Sequence, residues 1–131
     1  MRSAKKCCID SSVWVKYAGH HKASTLLRYI TKHNLLVYGD NYLLGEIHQA
    51  LMIGFGFTVK EADKVIQMIL PFIIINAPHN LFRLSKDPKD NYLYDLCIQN
   101  NCSYLITIDK ELLTDVNAPF QRKTDAWLKK Q

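Results

Sequence analysis

Two apolar runs in this chain end in aspartate: Cys7-Cys8-Ile9 before Asp10, and Tyr104-Leu105-Ile106-Thr107-Ile108 before Asp109. Each reads as a short buried strand that delivers a carboxylate at its C-terminal end. In open α/β sheets that edge is where ligands bind, in the crevice where the strand order reverses. If the two strands are neighbours, like charges face each other in a cleft, which is costly without a cation between them. The pattern predicts a divalent-metal site.

Two more carboxylates fit such a site. Glu46 shares a helical face with Leu43, Ile47 and Ala50, and a glutamate in an apolar stripe is expensive unless it is paired, reaches solvent or binds metal. Asp90 follows the turn residues Asp87-Pro88-Lys89 and suits a helix N-cap as well as a ligand position. Asp95 falls opposite Leu93, Leu96 and Cys97, which places it in solvent. His48 turns away from the Glu46 face and reads as a surface histidine.

The elements that must hold these residues alternate between strand and helix. Ser11-Ser12 opens a helix through Val13, Trp14 and Tyr17, and a second spans Lys22 to His33. Leu35 to Tyr38 is a strand. Asp40 or Asn41 caps a helix running to about Ile53, before Gly54-Phe55-Gly56. Thr58 caps another, with Val59, Ala62, Ile66 and Ile69 at helical spacing. Pro71 ends it, and Phe72 to Ile75 is a strand. Lys89 to Asn100 is helical, Phe120 to Lys123 is a weak strand, and Thr124 caps a last helix through Trp127 and Leu128. Strands that are apolar throughout, separated by helices, predict a parallel sheet covered on both faces.

The 131 residues suit one domain over 1–131, with 48% apolar and 22% charged residues. No apolar stretch approaches about 18 residues, so no membrane span is expected. Basic Met1–Lys6 is followed by only Cys7-Cys8-Ile9, too short for a secretory segment, and the chain is expected in the cytoplasm. Cys7, Cys8, Cys97 and Cys102 lack zinc-site spacing and read as small buried hydrophobes in a reducing compartment. Seventeen Lys and Arg face twelve Asp and Glu; with four acids assigned to the site, eight remain against seventeen bases. A basic surface around an acidic pit suits a polyanion, with Arg2, Lys5, Lys6, Arg122, Lys123, Lys129 and Lys130 as candidate contacts. Trp14, Tyr17 and Tyr42 could stack bases, although core packing or a dimer contact explains each as well.

In order along the chain, Ile9-Asp10-Ser11-Ser12-Val13, Asn41-Tyr42-Leu43-Leu44-Gly45-Glu46-Ile47, Asp87-Pro88-Lys89-Asp90-Asn91 and Tyr104 through Leu113 resemble the motifs of the PIN domain. So does the ending, Thr124-Asp125-Ala126-Trp127-Leu128. That family comprises metal-dependent nucleases, including toxins of bacterial toxin–antitoxin pairs. The resemblance implies a three-layer α/β/α sandwich with a central parallel sheet in the order 3-2-1-4-5. It implies Asp10, Glu46, Asp90 and Asp109 as catalytic metal ligands for Mg²⁺ or Mn²⁺. Ser12, where the family often has asparagine, and Thr107 would orient them, and either Glu111 or Asp115 would assist.

The implied reaction is hydrolysis of RNA phosphodiester bonds, leaving a 5′-phosphate. The implied role is the toxin of a type II (VapC-like) pair, a homodimer with a cognate antitoxin. Alternatives are a housekeeping RNA-processing nuclease and a PIN-like scaffold that binds RNA without cutting it. A receiver domain would need two acids at the first strand and a late lysine. A haloacid-dehalogenase-type phosphatase would need Asp-x-Asp where Ser12 stands.

Overall fold

Strand β1 (Lys5–Ile9) is the axis of the molecule, because parallel strands flank it on both sides. In this computed structural model, which describes residues 4–75, 91–115, 118 and 120–130, the chain continues through α1 (Ser11–Gly19), α2 (Ala23–Lys32), β2 (Leu35–Gly39), α3 (Asn41–Phe55) and α4 (Val59–Ile69). A 3₁₀ turn, Leu70–Phe72, leads to β3 (Ile73–Ile75). Then come α5 (Asn91–Gln99), β4 (Tyr104–Ile106), α6 (Lys110–Thr114), β5 (Gln121–Lys123) and α7 (Asp125–Lys129). The sheet is entirely parallel, in the order β3-β2-β1-β4-β5. The expected sandwich and strand order are therefore correct.

Alternation along the strands divides the core in two. Cys7, Ile9 and Ile106 face a layer containing Val13, Trp14, Leu26, Ile30, Leu43, Ile47, Leu51 and Leu128. Cys8 and Leu105 face the other, with Leu93, Tyr94, Leu96, Cys97 and Leu112. Trp14 and Tyr17 are buried in the first layer, so neither can stack a base; Tyr42, 52% exposed, still can.

Local chemistry sets the boundaries. Asp40 caps α3, accepting from Leu43 N at 2.8 Å, and Thr58 and Glu61 form a reciprocal capping box on α4. Helix α3 runs past Gly54 and stops only at Gly56, whose φ of 70° closes it in the left-handed region. Asn34 and Asn101, both left-handed, turn the chain from α2 into β2 and from α5 into β4. The strand expected to reach Ile108 ends at Ile106, which frees Thr107, Ile108 and Asp109 to line the sheet edge. At the other side β3 is an edge strand with Ile74 and Ile75 partly exposed, not a strand buried on both faces.

Asp95 corrects the reading of α5 as one-sided. Leu93, Tyr94, Asp95, Leu96 and Cys97 are all buried, Asp95 to 1% exposure, so the helix is enclosed on more than its sheet face.

A second buried acid, Asp125, fastens α7 to α1. It accepts from Lys16 Nζ at 2.7 Å and Tyr17 Oη at 2.9 Å, with Lys129 Nζ at 3.7 Å. Burial opposes its charge, but these donors win and hold its carboxyl below the ordinary range. A depressed folded-state pKa contributes stability above the unfolded value, near 4, which is lost as pH falls through the folded value. Asp125→Asn is expected to cost about 2 kcal/mol at neutral pH. It should also flatten the acid limb of a stability–pH profile measured by denaturant melts; an unchanged acid limb would assign that limb to other groups.

Candidate metal and nuclease site

The C-terminal edge of the sheet collects acids from three adjacent strands. Asp10 follows β1, Asp40 follows β2, and Asp109 follows β4 after Thr107 and Ile108. At this edge the chain leaves β1 toward β2 and β4 toward β5, on opposite sides, so the crevice stands where parallel α/β sheets bind ligands.

Asp10 is the best-defined member. It is 6% exposed, and its backbone nitrogen donates to Ile106 O at 2.9 Å, continuing the β1–β4 ladder. Its Oδ2 accepts from Ser12 Oγ at 2.7 Å and from Thr107 Oγ1 at 2.9 Å. Among the described residues Oδ1 has only Ser11 Oγ, at 3.5 Å. Thr107 Oγ1 also accepts from Asp109 N at 3.0 Å within its own loop, and Ser12 Oγ reaches across to accept from Ile108 N at 3.4 Å. Ser12 and Thr107 thus bind the turn after β1 to the loop after β4.

Asp109 is exposed, and its Oδ1 caps α6 by accepting from Glu111 N at 2.9 Å. Glu111 and Asp115, equal candidates on spacing, are separated by the fold. Glu111 lies exposed beside Asp109, whereas Asp115 accepts from Tyr94 Oη at 2.6 Å and its carbonyl from Arg122. Glu46 enters from α3 and accepts from the hydroxyl of Tyr92. Tyr92 in turn lies 4.7 Å, ring centre to ring centre, from Tyr42. Burial first, then Glu46, Asp10 and Asp40, push the Tyr92 hydroxyl far above its ordinary pKa. It is a donor here and not a base. Asp90 lies outside the described residues.

Tyr92 and Asp40 escaped sequence reasoning. Tyr92 has no signature of its own. Asp40 had one, since Leu35-Leu36-Val37-Tyr38-Gly39-Asp40 is another apolar run ending in aspartate, but its capping role sufficed to explain it. Burial raises the Asp40 carboxyl above its usual range, partly opposed by the Leu43 and Tyr42 amides.

The donor set suits a hard cation. Among the described residues neither Asp10 nor Asp109 forms an ion pair, so a buried carboxylate is held by hydroxyls without a counter-charge. Oxygen donors of this kind suit Mg²⁺ or Mn²⁺. No three carboxylates among the described residues stand within 4.8 Å of one another. Of the basic candidates, Lys123 ends β5 beside Thr107, whose nitrogen donates to Lys123 O at 2.9 Å. Lys5 and Lys6 begin β1 at the opposite edge.

A family model described as PIN domain matches residues 6–111. The chain belongs to the PIN domain family. PIN domains are generally metal-dependent nucleases, and the matched stretch includes Asp10, Glu46, Asp90 and Asp109. Among solved structures, this PIN domain is similar to the crystal structure of PAE2754 from Pyrobaculum aerophilum. The TM-score is 0.64 at 15% identity, over 95% of this chain and 93% of that one, a likeness of fold. A search of curated proteins finds no match. Among the described residues no helix is long and apolar enough to cross a membrane.

Proposed function

We propose that this PIN domain is an endoribonuclease dependent on Mg²⁺ or Mn²⁺, using Asp10, Glu46, Asp90 and Asp109 as its acids. The observation that carries this reading is Asp10: buried, without a basic partner among the described residues, and fixed by two hydroxyls that also fix the loop of Asp109. Mg²⁺ or Mn²⁺ held by these carboxylates would supply an activated water and neutralise charge at the scissile phosphate. The protein's own part is positioning. Ser12 and Thr107 occupy Asp10 Oδ2, so Oδ1 is the oxygen left to face the crevice. Tyr92 steadies Glu46 by donating to one of its oxygens, and Tyr42, exposed beside Tyr92, offers a ring to a base of single-stranded RNA. Glu111 adds negative charge next to Asp109.

The finer assignment is a toxin of a type II toxin–antitoxin pair, and it rests on the likeness of motifs alone. Partly exposed Leu70, Phe72, Ile74 and Ile75 at the β3 edge support a protein partner, a second copy or an antitoxin. Four free, buried cysteines agree with a reducing compartment such as the cytoplasm.

Labelled single-stranded and hairpin RNAs incubated with purified protein are expected to give 5′-phosphate products with Mg²⁺ or Mn²⁺ and none with EDTA. The same ions should stabilise the protein by RT ln(1 + [L]/Kd), about 1.4 kcal/mol at ten times Kd. Intact RNA together with a melting temperature indifferent to both ions would overturn the reading. A small DNA-binding protein encoded alongside, and able to abolish cleavage, is the check on the toxin assignment.

A further inference from the structure

Away from the acidic crevice, three sulfurs converge. Cys8 of β1, Cys97 of α5 and Cys102, in the turn before β4, place their Sγ atoms within 4.8 Å of one another. Cys8 Sγ and Cys102 Sγ are 3.9 Å apart. Their positions along the chain give no hint of this, because a strand, a helix and a turn must meet to bring them together.

The backbone holds the group firmly. Left-handed Asn101 reverses the chain at the end of α5, so that Cys102 N donates to Cys97 O at 2.8 Å. Ser103 N then donates to Lys6 O at 3.0 Å, tying the turn to β1. Cys8 and Cys97 are fully buried, while Cys102, 8% exposed, provides the approach from outside.

We propose that Cys8, Cys97 and Cys102 form a three-sulfur site for a soft, thiolate-seeking cation. Thiolates select Cu⁺ and Zn²⁺ among the available ions. Around one ion at a metal–sulfur length of about 2.3 Å, three sulfurs in a plane stand about 4 Å apart. The observed spacing needs only a small contraction. Cys102, the least buried of the three, is the natural first ligand. Binding would release the remaining thiol protons to solvent. Among the described residues no fourth Cys, His, Asp or Glu joins the group, which suits three-coordinate Cu⁺; Zn²⁺ would need a water or an added ligand to reach four.

The site is independent of the nuclease reading. Fully reduced, full-length protein under argon is titrated with Cu⁺ and, separately, with Zn²⁺, each against a competing chelator. One equivalent of either ion, with a shell of three sulfurs by X-ray absorption, is the expected result, and the two arms identify the ion. Cys102→Ala, at the least buried position of the three, should lose at least nine-tenths of that binding. Cys7→Ala, on the opposite face of the sheet, should keep it. The proposal is overturned if neither ion binds, if the shell is oxygen or nitrogen, or if Cys102→Ala binds like the parent. Absorption measured on the parent protein decides the matter even if a variant does not fold.

Discussion

Asp10→Asn is expected to lower RNA cleavage about a thousandfold while leaving the metal-free protein as stable as before, or slightly more so. Loss of a ligand that places the metal removes several kcal/mol of transition-state stabilisation, and about 4 kcal/mol corresponds to that factor. Stability should move the other way, because Asp10 is a buried carboxylate with no basic partner among the described residues, which is costly where the amide is not. The Asn carbonyl oxygen can still accept from Ser12 and Thr107 (2.7 and 2.9 Å in the parent), so the turn keeps its shape. Asp109→Asn should behave similarly, since asparagine caps α6 about as well as aspartate does. Denaturant melts with EDTA and single-turnover cleavage with Mg²⁺ measure the two quantities on the same preparations. An Asp10→Asn protein that cuts like the parent would sink the nuclease assignment, whatever its fold.

Thr107→Val should lower cleavage about 10- to 100-fold, the usual cost of losing a partner that orients a metal ligand. Valine matches threonine in shape, so a fully buried position keeps its packing. What disappears is one oxygen that donates to Asp10 Oδ2 and accepts from Asp109 N. Leaving that N–H unsatisfied should also cost about 1–3 kcal/mol of stability. A purely structural threonine would change stability alone. A positioning threonine should in addition raise the Mg²⁺ concentration needed for half-maximal cleavage, and Thr107→Ser should restore most of it. If Val and Ser variants share the parent's metal dependence, Asp10 is held well enough by Ser12 alone.

Much of this arrangement was legible in residue order. Apolar runs closed by aspartate marked β1 and β4, helical spacing marked α3 and α4, and Thr58 marked a cap that the fold forms. Those features are local, set by side-chain periodicity and by backbone groups seeking partners within a few residues. What stayed hidden depended on distant packing. Asp95 was read as solvated because one face of α5 explained its leucines; its own burial is something no helical period reveals. Tyr92 reaches Glu46 across 46 positions of sequence. The cysteines looked like filler because a pattern along the chain cannot show that Cys8 and Cys102, separated by 94 positions, lie side by side. Asp40 had the right signature and was explained by its cap alone.

The central place of β1 also governs when the crevice can come into being during synthesis. Thr107 and Asp10, whose contact closes the site, are 97 positions apart, and β1 gains its β4 neighbour only after Tyr104–Ile106 have been made. Domains dominated by such distant pairings fold slowly, because loop closure comes before its reward. A growing polypeptide on the ribosome therefore holds Asp10 in a half-built sheet without the Asp109 loop. The crevice cannot be complete until synthesis has passed Asp109. Sheet order, in this protein, doubles as a timer.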